Sequence, residues 1–254
     1  MRDEQRQRYS RQIMLPGFGE AAQQRLTDAS VLVVGLGGLG SPVAMYLAAA
    51  GVGRLLLADF DAVDLSNLQR QILHGTSDIG RNKVDSAIDR LRALNPDTRL
   101  EPLKGSLAAP RLAELVARVD LVCDCSDNFQ TRFAVNAACV AAGVPLVSGA
   151  AIRGEGQVCV FSGRPGDPCY QCLFPGHGEV EESCERSGVL APVVGIIGSV
   201  QATEAIKVLA GYGEPLLGQL LLLDALRMEW RRLRVPVDAG CPVCGPRKGP
   251  GAAT

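Results

Sequence analysis

Residues 30–59 read SVLVVGLGGLGSPVAMYLAAAGVGRLLLAD, and this stretch decides the architecture. Ser30 to Val34 is a short β-branched run of the kind that fills a buried strand. GLGGLG, Gly35 to Gly40, follows at once and leads into the helical stretch SPVAMYLAAAG. Pro42 suits a first helical turn, because its missing N–H would have no partner there. Arg54 to Ala58 is a second strand and ends in Asp59. Strand, glycine loop, helix and strand in that order predict parallel pairing in a doubly wound sheet.

The rhythm continues outward. Lys83 to Leu94 carries Val84, Ala87, Ile88, Leu91 and Leu94 at helical spacing, and Asn95-Pro96 ends it. Val119 to Cys123 and Pro145 to Val147 are expected as buried strands, with a helix over Phe129 to Ala142 between them. After Gly149 the pattern changes. Gln157 to Phe161 alternates like a strand at a solvent edge, and a polar segment, Gly163 to Gly188, follows. A helix is expected from about Gly195 to Ala210, then a closing antiparallel pair over Leu220–Leu223 and Glu229–Val235. The expected organisation is one domain over 1–254. It has an N-terminal helical arm (1–29), a nucleotide-binding half (30–150) and a mixed-sheet half with a crossover loop (151–245). The glycine- and proline-rich tail from Gly245 is expected to fray.

Composition narrows the function. Among 254 residues, 26 Lys plus Arg face 27 Asp plus Glu, a net charge of −1. That balance lacks the basic footprint of a nucleic-acid or membrane-surface binder. The start, MRDEQRQRYS, has no apolar core and does not read as a signal peptide. Val189 to Val200 is interrupted by Pro192, Gly195 and Gly198, short of the roughly 20 apolar residues of a membrane span. A cytoplasmic location is expected, where thiols stay reduced and cysteine pairs act as metal ligands. Cys169-Tyr-Gln-Cys172 and Cys241-Pro-Val-Cys244 together supply four thiolates, the donor set of a closed tetrahedral zinc site. Cys123, Cys125, Cys139 and Cys159 fall in apolar elements and are expected to be buried and inert. Cys184, in the polar stretch GEVEESCERSG, is expected to be exposed.

The glycine loop places backbone N–H groups at a positive helix end, where phosphates bind. Asp59 sits where a carboxylate bonds ribose hydroxyls. Those two features fit a nicotinamide-dependent oxidoreductase equally well. What separates the readings is a set of cations and one acid. SNLQRQ, Ser66 to Gln71, puts Asn67 and Arg70 near the same sheet edge, Lys83 opens the next helix, and Arg11 lies in RYSRQ. DCSDN, Asp124 to Asn128, follows a strand and offers Asp127 to magnesium. A triphosphate undergoing cleavage needs such charge; a dinucleotide needs little beyond the helix end. An oxidoreductase leaves Arg70, Lys83 and Asp127 without a shared purpose. A zinc-stabilised scaffold that holds nucleotide without turnover leaves them equally unexplained.

GLGGLG, ADFDAVDLSNLQRQ, DCSDN, PLVSGAAIRGEGQ, the paired CxxC motifs and the loop cysteine together resemble the ThiF/MoeB/HesA family, bacterial relatives of ubiquitin-activating enzymes. The resemblance runs from RYSRQ to CPVCG. It implies an α/β, Rossmann-like doubly wound, mostly parallel sheet with antiparallel C-terminal strands and a structural zinc site. It implies an adenylyltransferase that uses ATP and magnesium to activate the C-terminal glycine of a small ubiquitin-like sulfur carrier, releasing pyrophosphate. It also implies a homodimer and a separate sulfur donor protein, since longer relatives append a sulfur-delivering domain. By position, Gly38 contacts phosphate, Asp59 the ribose, and Ser66, Asn67, Leu68, Gln69 and Arg70 line the nucleotide. Asn67, Arg70 and Lys83 hold the triphosphate, while Asp127 positions magnesium with Asn128 beside it. Arg11 reaches the partner's ATP. Cys169, Cys172, Cys241 and Cys244 match zinc ligands, and Cys184 matches a cysteine that in some members bonds the carrier covalently. GVLAPVVGIIGSVQATEAIKVLAGYGEPLLGQLLLLDA is similar to the molybdopterin branch, whose carrier is MoaD-like; the thiazole branch, with a ThiS-like carrier, is the alternative. A carrier carboxylate is already ionised near neutral pH, so His74 and His177 as the only histidines are no handicap.

Overall fold

The computed structural model describes residues 1–105, 107–175 and 187–245. A helical arm comes first: α1 (Asp3–Arg8), α2 (Ser10–Ile13) and α3 (Gly19–Asp28). Then follow β1 (Ser30–Val34), α4 (Gly40–Ala49), β2 (Arg54–Asp59), α5 (Lys83–Leu94), β3 (Arg99–Lys104), α6 (Ala109–Val116) and β4 (Leu121–Asp124). The second half holds α7 (Phe129–Ala142), β5 (Leu146–Ile152), β6 (Glu155–Phe161), α8 (Tyr170–Leu173), α9 (Ala191–Ala210), β7 (Gln219–Asp224) and β8 (Glu229–Arg234). The strands form one sheet in the order β3-β2-β1-β4-β5-β6-β7-β8. β1 to β5 pair in parallel, and β5 to β8 are antiparallel.

Successive strand residues face opposite sides, so the apolar runs feed two cores at once. Val31, Val33, Leu55 and Leu57 join α3, α4, α5 and α9 on one face. Leu32, Val34, Leu56 and Ala58 join α6 and α7 on the other. The parallel half therefore presents the carboxyl ends of β1, β2 and β4 along one edge, which places the site.

Four expectations change. β6 is no edge strand: it lies between β5 and β7, with Val158 and Val160 in one core and Cys159 and Phe161 in the other. β5 runs on past the expected Val147, through Ser148-Gly149-Ala150 to Ile152. Gly149 serves close approach, since a Cβ there would sit 2.3 Å from the Gln201 amide. α9 starts at Ala191, four residues before Gly195, because Pro192 fits its first turn. This 20-residue helix is long and apolar enough to cross a membrane by length and composition, with mean hydropathy 1.5, yet half of that window is buried in the fold. Finally, β3 and α6 were not expected at all. Of the polar segment 163–188, residues 176–186 lie outside the described residues, and Cys184 with them.

Candidate functional site

The glycine loop is tight. Gly35 has φ +89°, donates its N–H to the Ala58 carbonyl at 2.8 Å, and packs so closely on Cys125 that a Cβ would meet the Cys125 carbonyl at 2.8 Å. The loop and the DCSDN segment are thus in direct contact. Asp59, at the end of β2, accepts the Leu36 N–H at 2.7 Å and the Asp61 N–H at 2.9 Å. Burial pushes its carboxyl up, against the pull of Lys83 and the two N–H groups. Lys83, the first residue of α5 and 6% exposed in its side chain, pairs with Asp61 at 2.8 Å. Asn82 caps that helix by accepting the Val84 N–H at 3.0 Å. A buried ammonium held by one carboxylate, beside a loop of backbone N–H groups, has the chemistry to receive an anion.

Asn67 and Arg70 come from a 3-10 turn, Leu65–Asn67, and the residues after it. Asp64 starts the turn by accepting the Ser66 N–H at 2.8 Å, and hydrogen bonds from Ser66 hold its carboxyl below the usual range. Arg70 donates to the Ser66 carbonyl at 3.1 Å, and Asn67 accepts from Gln71 at 2.5 Å. Ser66 and Gln69 are exposed; Leu68 and Gly38 are half-buried. After β4, the Asp124 carboxylate accepts the Ser126 N–H at 3.0 Å and its hydroxyl at 2.6 Å. Arg132 donates to the Ser126 carbonyl at 2.7 Å. This leaves Asp127 exposed at the rim, 3.4 Å from the Asn128 amide, while Asn128 caps α7 by accepting the Thr131 N–H. A cleft of about 590 Å³ runs from Asp127 past Arg132 and Phe174 over β5–β8. Arg11 is exposed on α2, in the arm.

Asp61, Asp124 and Arg132 anchor this edge and were not singled out by motif reading. For Asp61 the signal was the alternation Asp59-Phe60-Asp61, which returns a second carboxylate to the edge where Lys83 arrives.

The four CxxC cysteines converge: their sulfurs all lie within 4.8 Å of one another. Sγ atoms of Cys169 and Cys241 are 3.7 Å apart, and those of Cys172 and Cys244 are 3.3 Å apart. Four thiolates at about 2.3 Å from one ion stand about 3.8 Å apart, so the cluster fits tetrahedral zinc. Asn136, fully buried, donates to the Cys169 sulfur at 3.5 Å. The other described cysteines are buried as expected; burial raises the thiols of Cys123, Cys125 and Cys139, and that of Cys159 to about 12.

The ThiF family model matches residues 9–243. Molybdopterin-synthase adenylyltransferase of Escherichia coli is 51% identical over 243 residues, 96% of this chain and 98% of the relative. The Escherichia coli sulfur carrier protein ThiS adenylyltransferase is 49% identical over 245 residues, 96% of this chain and 97% of that one. A crystal structure of E. coli MccB with ATP superposes with a TM-score of 0.82 at 24% identity, covering 94% of this chain and 74% of MccB, a likeness of fold. With the loop, the acidic segment and the four-cysteine cluster where the motifs put them, the chain belongs to the ThiF family.

Proposed function

We propose that the chain activates the C-terminal carboxylate of a small ubiquitin-like sulfur carrier as an acyl-adenylate, consuming ATP with magnesium and releasing pyrophosphate. The observation that carries this reading is the meeting of buried Lys83, held by Asp61, with the Asp59-anchored glycine loop at the edge that also bears Asp127. Gly38 and its neighbours receive phosphate, and Asp59 orients the ribose. Asn67, Arg70 and Lys83 neutralise the triphosphate, with Ser66, Leu68 and Gln69 completing that wall. Asp127, beside Asn128, is placed to hold magnesium, which supplies further charge neutralisation when bound. The carrier tail lies in the cleft that starts at Asp127, and its carboxylate attacks the α-phosphate in line. No general base is required, so positioning and charge carry the rate.

The four cysteines hold one structural zinc. Arg11 serves the partner's site in a homodimer: exposed Met14 and Leu15 follow it in the arm, and exposed Phe60, Leu65 and Ile72 flank the nucleotide turn, an apolar face on the same segments. Cys184 is a candidate covalent attachment point for the carrier, the sulfur donor is a separate protein, and the setting is the cytoplasm.

A second reading changes only the carrier. Relatives named for molybdopterin synthase and for ThiS stand at 51% and 49% identity, too close to choose between MoaD-like and ThiS-like substrates. ATP–pyrophosphate exchange with both purified carriers decides. Exchange with the MoaD-like carrier alone is expected. Exchange with the ThiS-like carrier alone selects the second reading, and no exchange with either refutes both.

A further inference from the structure

His74 is 7% exposed and takes no part in the chemistry above. Its Nε2 lies 3.0 Å from the Leu36 carbonyl and its Nδ1 lies 2.8 Å from the Ser86 hydroxyl. A carbonyl only accepts, so Nε2 carries the proton; in the neutral ring Nδ1 then accepts from Ser86. Ser86 sits one turn after Lys83 on α5. The bonds close on themselves. From Lys83 the path runs to the Asp61 carboxylate at 2.8 Å, and from the Asp61 N–H to Asp59 at 2.9 Å. Asp59 accepts the Leu36 N–H at 2.7 Å, and the Leu36 carbonyl returns it through His74 and Ser86 to α5.

We infer that His74 is a positioning residue: it closes a hydrogen-bonded ring that fixes the glycine loop and the Lys83 ammonium in one register. Leu36 is gripped through both of its backbone groups, its N–H by Asp59 and its carbonyl by His74. The loop and α5 come from separate parts of the chain, and the ring ties them together. Burial is the main force holding the imidazole neutral, with Lys83 adding to it and Asp59 and Asp78 opposing it. A neutral ring keeps the Ser86 bond in the direction described. The inference rests on the ATP-binding reading proposed above.

The test is ATP affinity of the full chain by calorimetry for His74→Phe, His74→Gln, Lys83→Met, the His74→Phe/Lys83→Met pair, and Leu91→Ala as a destabilised control outside the ring. His74→Phe should weaken ATP binding about tenfold or more, with His74→Gln recovering part of the loss through its amide donor. In the Lys83→Met background the His74→Phe effect should shrink, because the two side chains act as a unit. Wild-type affinity in His74→Phe, strictly additive losses, or an equal loss in Leu91→Ala each overturns the inference. If wild type itself fails to bind ATP, the proposed function falls. The ring is then judged by imidazole 15N NMR, tractable with only two histidines. A neutral Nε2–H tautomer that titrates below the ordinary 6.5 is expected, and titration at or above 6.5 overturns the ring.

Discussion

Asp127 and Lys83 do opposite things with their charge. Lys83 is buried and already paired, so its removal strands Asp61 beside Asp59; Asp127 is exposed and supports little structure. Asp127→Ala should therefore lower pyrophosphate exchange by about 10²-fold or more while leaving stability within about 0.5 kcal/mol. Paired exchange and urea-denaturation measurements check this. Near-normal exchange would remove Asp127 from the site. The same contrast marks what a sequence discloses. Gly38, Asp59, Lys83 and Asp127 sit in compact motifs whose spacing names them. Asp61 and His74 have roles set by partners from distant segments, Lys83 for the one and Leu36 with Ser86 for the other. Local sequence returns the Asp61 carboxylate to the sheet edge by strand alternation but names neither its partner nor those of His74.

At the level of elements, α5 and α7 occupy the residues that periodicity predicts, because each has an asparagine cap before an amphipathic run and a stop after it. β3 escaped for a physical reason: Arg99–Lys104 reads RLEPLK, an edge strand with one fully buried residue, so no apolar alternation is required of it. Its place is held by charge. Glu101 pairs with Arg54 at 2.8 Å and Arg118 at 3.0 Å. Burial acts to raise the Glu101 carboxyl, but the two guanidinium groups outweigh it and hold it below its ordinary 4.5. A depressed carboxylate stabilises the fold above its unfolded value and loses that contribution as pH falls through the folded one. Glu101→Gln should thus be less stable than wild type at pH 7, with the gap closing as pH drops below 4.5; urea midpoints across that range measure it. β5 outruns the expected Pro145–Val147 because Ser148, Gly149 and Ala150 add little apolar signal, yet Gly149 is the price of seating Gln201. The Gln201 amide donates to the Asp124 carbonyl at 2.9 Å, across from β5. Gly149→Ala should cost about 1–3 kcal/mol through that clash, and a thermal midpoint equal to wild type would contradict it.

Over the whole molecule, the four-cysteine cluster joins α8 in the middle of the chain to Cys241 and Cys244 near the last described residues. The pairing of distant CxxC motifs was legible from donor chemistry alone, whereas the sheet order that brings them together was not. Closed by one zinc ion and treated as a cross-link, the cluster would contribute about 4 kcal/mol by loop closure. Prolonged chelation should release one zinc per chain, expose four further thiols to titration and lower the thermal midpoint by several degrees. A preparation with no zinc and an unchanged midpoint would rule the clamp out.

Among the described residues the open sheet of eight strands ends in two unpaired rims, and such rims invite other chains to add themselves. One rim is β3, where Pro102 has no N–H to offer and Arg99 and Lys104 carry charge. The other is β8, exposed at every residue, which carries Arg231, Arg232 and Arg234. On β8 the three arginines outnumber Glu229, so stacking two copies along this rim sets like charges against each other. That protection is electrostatic, and it weakens with salt: concentrated solutions of this protein are safest from self-assembly at low ionic strength.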